Sequence, residues 1–310
     1  MLTFPQTQTQ EPSGNVMTAR TMAWALERLE LGESVALASV VESQGSVPGK
    51  VGAKIAVSEN GERHGTVGGA GLEEKIISHL TDIIKSEASP GIHRFQLRKE
   101  AMQNTSKGIE VTPLNSLCGG VVTIVSEFLN ASPHVLLAGG GHCAIAIGKM
   151  AHVLDWRISI MDTREEYVSE DHHPKAIERI HSSPENFLER ENPTSLARFS
   201  HILIMGHDWA IDQNLLLGIM GKMHNKEWNT TVGTIGSKAK WNSFSSAAKE
   251  KGIDSLILNQ ILCPIGVDIS AESPEEIAIA VCAQIIDERA RSLRGETKIK
   301  HSGWRSILTE

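Results

Sequence analysis

Aromatic residues make up only 4% of this 310-residue chain, with a single tyrosine. Stacking platforms for exposed bases are therefore scarce, which weighs against single-strand nucleic-acid binding. Positive charge is short as well: Lys and Arg total 30 against 37 Asp and Glu, a formal net charge of -7. A sequence-independent nucleic-acid binder needs a basic face to neutralise phosphates, and this balance does not suggest one. Cysteine is sparse, with Cys118, Cys143, Cys263 and Cys282 scattered along the chain and no C-x-x-C pair. That argues against a disulfide framework and favours a reducing compartment. No apolar run approaches the roughly 18 residues that cross a membrane. The opening MLTFPQTQTQEPSGN has neither the basic flank nor the apolar centre of a signal peptide. The expectation is a cytoplasmic chain with no membrane and no nucleic-acid partner.

What is present is ordinary globular composition, 40% hydrophobic and 22% charged, at a length that suggests about two domains. A polar leader over 1–15 precedes helical spacing at Met22, Ala25, Leu26 and Leu29. Val35 to Val41 reads as a buried strand, and the Asn60-Gly61 step between two apolar runs predicts a hairpin. Asn130-Ala131-Ser132-Pro133 is the best linker. Beyond it, apolar strands at 135–138, 158–161, 202–205 and 231–235 alternate with helical patterns, the signature of a parallel sheet covered on both faces. Ser273-Pro274-Glu275-Glu276 predicts a helix start with a capping box. The fold class is thus α/β: a mixed α/β N-terminal domain over 16–130, a Rossmann-like domain with a parallel sheet over 134–292, and a tail over 293–310.

The strongest local signal is Gly139-Gly140-Gly141-His142-Cys143-Ala144, a G-x-G-x-x-A turn that leaves a strand and opens a helix. Asp162 ends the next strand, near the ~20-residue offset of a ribose-binding acid. The glycines permit close backbone approach, so the helix N-terminus can hold a phosphate. Gly65 to Glu73, with Gly68 and Gly69 at its centre, is a second strand-to-helix passage. It reads equally as an anion cradle and as a tight turn without ligand. Cys118, beside Gly119 and Gly120, sits in a setting that suits an exposed thiolate, a nucleophile or soft metal ligand, although a free cysteine is more often a small buried hydrophobe. His207 follows one strand and Ser237-Lys238 another, on the edge where parallel sheets bind ligands. Each also reads as a helix cap and a solvated face. The adjacent pair His172-His173 points its side chains apart, completes no zinc set, and reads as surface.

Taken together these residues resemble the xanthine dehydrogenase accessory factor family, XdhC/CoxI. Gly45-Ser46-Val47-Pro48 through Lys54 is similar to its G-S-x-P-x-x-x-G-x-K segment, and Gly65 to Glu73 to its G-T-[IV]-G-G-G-x-L-E. Cys118-Gly119-Gly120 matches C-G-G, Gly139 to His142 the G-x-G-H turn, and Asp162-Thr163-Arg164 the following D-x-R. Ile235 to Lys240 resembles I-G-S-x-x-K, and Cys263-Pro264-Ile265-Gly266 through Ala278 the closing segment. Departures are Gly49 where the family often has Arg, Ala70 for a glycine, and Gly71 where Cys or Asn is common.

The resemblance implies a chaperone without turnover of its own. It would bind a molybdopterin-type molybdenum cofactor and insert it into apo xanthine dehydrogenase or a related molybdenum hydroxylase. The implied cofactor-binding residues are Cys118, Gly119, Gly120, Gly68, Gly69, Gly139, Gly141, His142, Asp162, Arg164, His207, Ser237 and Lys238, with Cys118 near the molybdenum. A dinucleotide at the Rossmann turn, a cysteine desulfurase as further partner, and a homodimer stay open. So do two enzymatic alternatives: an NAD(P)-dependent oxidoreductase, and a sulfur or nucleotidyl transferase acting on the cofactor.

Overall fold

The computed structural model describes residues 14–97, 110–113, 120–223 and 230–293. The chain divides into two compact units between Ala131 and Ser132. The leader expected over 1–15 lies outside the described residues except for Gly14 and Asn15, which already belong to the first helix. The tail expected over 293–310 lies outside them apart from Leu293.

The first unit runs α1 (Gly14–Glu30), β1 (Val35–Gly45), β2 (Lys54–Ser58), β3 (Arg63–Thr66), α2 (Ala70–Ile84), β4 (Gly91–Gln96), β5 (Glu110–Pro113) and β6 (Gly120–Leu129). Its sheet has the order β3-β2-β1-β6-β4-β5 and is mixed, because β4 and β5 are parallel while the other pairs are antiparallel. Alternation along β1 assigns the faces. Ala36, Ala38 and Val40 pack with Leu72, Ile76, Leu80 and Ile83 of α2, while Val35 and Leu37 pack with Ala25 of α1. The expected Asn60-Gly61 hairpin forms, with Gly61 at φ +81° between β2 and β3.

The second unit runs β7 (His134–Ala138), α3 (His142–Val153), β8 (Arg157–Asp162), a 3-10 turn (Glu165–Val168), β9 (Glu178–His181), α4 (Pro184–Arg190), α5 (Pro193–Leu196), β10 (His201–Ile204), α6 (Trp209–Lys222), β11 (Thr231–Thr234), α7 (Lys238–Glu250), α8 (Ser255–Leu258) and α9 (Pro274–Leu293). Five strands in the order β11-β10-β7-β8-β9 pair in parallel throughout. Val135 and Leu137 face one hydrophobic cluster with α3 and α9; Leu136 and Ala138 face another with α6 and α7. Strands buried on both faces explain the continuous apolar runs in the sequence. The predicted capping box opens α9: Glu276 N–H donates to Ser273 Oγ at 3.2 Å, and Ser273 N–H donates to Glu276 Oε2 at 3.1 Å.

Candidate functional site

In the second unit the strand order places β7 between β8 and β10. The chain therefore winds outward in both directions from β7, and the switch point falls between β7 and β10, where open α/β sheets take ligands. The turns after β7, β8, β10 and β11 all emerge at this carboxyl edge, and contacts tie them together in sequence.

Gly139 has φ +115°, and a Cβ there would lie 2.5 Å from Met205 O, so only glycine lets the turns after β7 and β10 touch. At Gly140 a Cβ would run into the Tyr167 carbonyl. Gly141 differs: nothing lies within 4 Å of where its Cβ would stand. It is the N-cap of α3, with His142 exposed in the first turn and Ala144 buried against the sheet. Packed first glycine, open third position and small closing residue form a cradle of the kind that admits a phosphate group.

Asp162, the last residue of β8, is buried and fully engaged. Its Oδ2 accepts from Gly140 N–H at 2.8 Å and from Arg164 Nη2 at 2.9 Å, while its Oδ1 accepts from Arg164 N–H and Nε, each at 3.0 Å. Burial alone would raise its pKa, but the bonds from Arg164 and Gly140 hold the carboxyl below its ordinary value. Asp162 in turn raises the pKa of Arg164, whose guanidinium carbon sits 3.6 Å from the centre of the Tyr167 ring. His173 completes the loop: its Nε2 stands 3.0 Å from Gly140 O. A carbonyl only accepts, so that nitrogen carries the proton, and burial favours the neutral ring by lowering its pKa. The surface reading of His172-His173 is thus corrected for one of them. His172 is exposed, whereas His173 is only 4% exposed, because adjacent side chains point apart and one of them must face the turn.

On the other side of the switch point, Gly206 N–H donates to Asp212 Oδ1 at 2.9 Å, and Lys240 Nζ donates to Asp212 Oδ2 at 2.6 Å and to Ile235 O at 3.2 Å. Burial raises the pKa of Asp212, and Lys240 opposes that shift. Ser237 caps α7, its Oγ accepting from Lys240 N–H at 3.4 Å. His207, Lys238 and Trp209 stand exposed along this edge. Asp212 and Lys240 follow different strands, and nothing in the sequence signals that they meet across 28 residues.

In the first unit, Gly68 and Gly69 have φ +82° and +79°, and Cβ atoms there would lie 2.5 Å from Pro48 O and Pro48 Cγ respectively. Gly120 pairs with Gly45, and a Cβ on it would lie 2.5 Å from Gln44 O. The Gly45–Gly49 segment is therefore held between the elbow at 68–69 and the start of β6, which brings three of the sequence motifs to one place. The Gly68 amide donates to Glu73 Oε1 at 3.0 Å and Thr66 Oγ1 at 3.1 Å, so part of the expected anion cradle is occupied by the chain itself. Cys118 and Gly119 lie outside the described residues. Among the described residues no group of three or more His, Cys, Asp or Glu is placed to hold a metal ion, and no helix is long and apolar enough to cross a membrane.

The fold defines a Rossmann-type unit with a parallel sheet, in one chain with a smaller mixed α/β unit. The family described as the XdhC Rossmann domain matches residues 135–285, and the XdhC and CoxI family matches residues 28–96. The chain belongs to the XdhC and CoxI family. It is similar to the Escherichia coli (strain K12) protein YqeB, at 26% identity over 254 residues covering 81% of this chain and 43% of that one. The chain thus spans under half the length of that relative. It is also similar to a probable xanthine dehydrogenase subunit of Bacillus subtilis (strain 168), at 22% identity covering 85% of this chain and 96% of that one. Among solved structures, a xanthine dehydrogenase from Bacillus halodurans aligns with a TM-score of 0.45 and 18% identity, over 88% of this chain and 96% of that one.

Proposed function

We propose that this chain is an accessory factor for xanthine dehydrogenase or a related molybdenum hydroxylase, binding a molybdopterin-type cofactor and passing it to the apoenzyme. Family membership over both units supports the accessory role, as does the name of the Bacillus subtilis relative, nearly all of whose length is matched. The observation that carries the cofactor-binding part is the cradle at Gly139–Gly141, locked at its first glycine and open at its third. It suits the phosphate end of such a cofactor, through the amides at the N-terminus of α3.

When bound, the cofactor would supply the molybdenum–dithiolene centre that the hydroxylase uses. The protein's own part is to hold and shield. Gly139 and Gly141 shape the backbone cradle with His142 next to it, and His207, Ser237 and Lys238 stand after β10 and β11 on the same carboxyl edge. Asp162 and Asp212 are paired with Arg164 and Lys240, so these two buried carboxylates do not add to the repulsion of an anion. In the first unit, taken by itself, Gly68, Gly69 and Gly120 with their sequence neighbours Cys118 and Gly119 are proposed as further cofactor-binding residues, Cys118 as a soft donor for molybdenum. A cysteine desulfurase enters only if Cys118 carries sulfur, which intact mass after incubation with a desulfurase reads directly.

The test is activation of a cofactor-free hydroxylase by the loaded protein. Transfer predicts activity that rises with added protein and falls severalfold or more for Cys118→Ala. Equal activation by Cys118→Ala, together with no pterin bound by either form, contradicts the proposal.

A further inference from the structure

We infer that Asp162 is the latch of the glycine turn and that Arg164 is the group that meets the ligand, selecting a phosphate monoester over a free ribose diol at the carboxyl end of β8. The inference rests on the carboxyl edge being a ligand site, the reading given above, and holds whichever molecule carries the phosphate.

An acid at the end of the second Rossmann strand ordinarily accepts from ribose hydroxyls, and a nearby arginine accommodates a phosphate on that ribose instead. Here the acid has no capacity directed at solvent. The Asp162 side chain is 3% exposed, and its two oxygens receive four hydrogen bonds, one from Gly140 and three from Arg164. Reaching a diol would mean breaking the bond that holds Gly140 beneath the cradle. Arg164 is 29% exposed. It spends Nε–H and one Nη2–H on Asp162, so of the five donors in a guanidinium, Nη1 and the second Nη2–H remain. Tyr167 supports the guanidinium plane, and its backbone carbonyl packs beneath Gly140. The fork is therefore fixed in place beside the cradle before any ligand arrives, which is the arrangement that makes arginine selective for planar, bidentate recognition of phosphate. Exposed Glu165 and Glu166 adjoin it. They disfavour diffuse anion attraction, so the selectivity comes from the directed donors rather than from net charge.

Two sources could present this phosphate: a ribose 2′-phosphate on a nucleotide, or the terminal phosphate of a pterin cofactor. Calorimetry with the isomers 2′,5′-ADP and 5′-ADP reads the first. Pterin retained by protein purified anaerobically from a molybdopterin-producing host reads the second. Wild type, Arg164→Gln and Arg164→Lys are compared after confirming equal thermal unfolding.

A nucleotide phosphate predicts about a tenfold preference for 2′,5′-ADP, abolished in Arg164→Gln, partly restored in Arg164→Lys, with pterin content unchanged. A pterin phosphate predicts no isomer preference and a severalfold drop in retained pterin for Arg164→Gln. Isomer preference in a protein that retains no pterin supports the inference while the chaperone reading fails. A preference for 5′-ADP strengthened by Arg164→Gln overturns the inference, since Asp162 is then the ribose ligand. So does any result in which neither the isomer ratio nor the pterin content depends on Arg164.

Discussion

Lys240 Nζ lies 2.6 Å from Asp212 Oδ2, joining the helix after β11 to the helix after β10 inside the second unit. The Asp212 side chain is 3% exposed and that of Lys240 20%, so the pair is largely desolvated. Removing the lysine strands a buried carboxylate, whereas removing both charges does not. Lys240→Ala is expected to lower stability by on the order of 3 kcal/mol. The double variant Asp212→Leu/Lys240→Met should recover most of that loss. Chemical denaturation of all three proteins checks it; additive losses in the double variant contradict it.

The elbow at 68–69 gives an internal control. Gly69→Ala drives a methyl into the Pro48 ring from a backbone at φ +79°. Strain and overpacking together are expected to cost about 2 kcal/mol or more. Gly71→Ala, two residues on and already in α2, meets open space. There the change should be neutral or stabilise by up to about 1 kcal/mol, since alanine is the better helix former. Thermal unfolding of the two variants side by side decides it, and equal losses contradict the packing described.

These contrasts mark what was legible in the sequence. The glycine turn after β7, the acid closing β8, the Asn60-Gly61 hairpin and the Ser273–Glu276 capping box all depend on neighbours within a few residues, and each forms. β4 and β9 gave no signal, because Gly91–Gln96 and Glu178–His181 carry few apolar residues and owe their pairing to β6 and β8. The site was legible in its glycines but not in its closure. Asp212 and Lys240 meet only through the strand order, and His173 reaches Gly140 across 33 residues. Asp162 was read as a ribose acid from its position; its engagement with Arg164 and Gly140 is a matter of side-chain geometry that spacing does not encode.

A pH dependence follows from His134, whose pKa burial and the nearby Arg157 and Arg198 push down to about 3. Its Nε2 stands 2.8 Å from Ser159 Oγ, which donates to Glu178 at 2.9 Å. The folded state keeps the ring neutral, while the unfolded chain takes up a proton below its ordinary value near 6.5. Its contribution is therefore complete above pH 6.5 and lost as pH falls toward 3, at up to about 1.4 kcal/mol per unit. Asp162, Glu191 and Glu288, with lowered values, lose theirs in the same direction at lower pH; Asp212, raised, works oppositely. His134→Gln should flatten the stability profile between pH 6.5 and 4, and a profile parallel to wild type contradicts this.

Cysteine reactivity is expected to single out Cys118. Burial pushes the Cys263 thiol up to about 12 and Cys282 to about 11, and raises Cys143 as well. None of these three holds appreciable thiolate at neutral pH. Brief alkylation at pH 7 followed by peptide mass mapping should label Cys118 first; prior labelling at Cys263 or Cys282 contradicts this.

The most direct test of the central claim is the pterin content of the protein purified anaerobically from a molybdopterin-producing host, released by acid–iodine oxidation and read by fluorescence. The account predicts near-stoichiometric pterin. Protein free of pterin, from a host whose supply is verified, contradicts it.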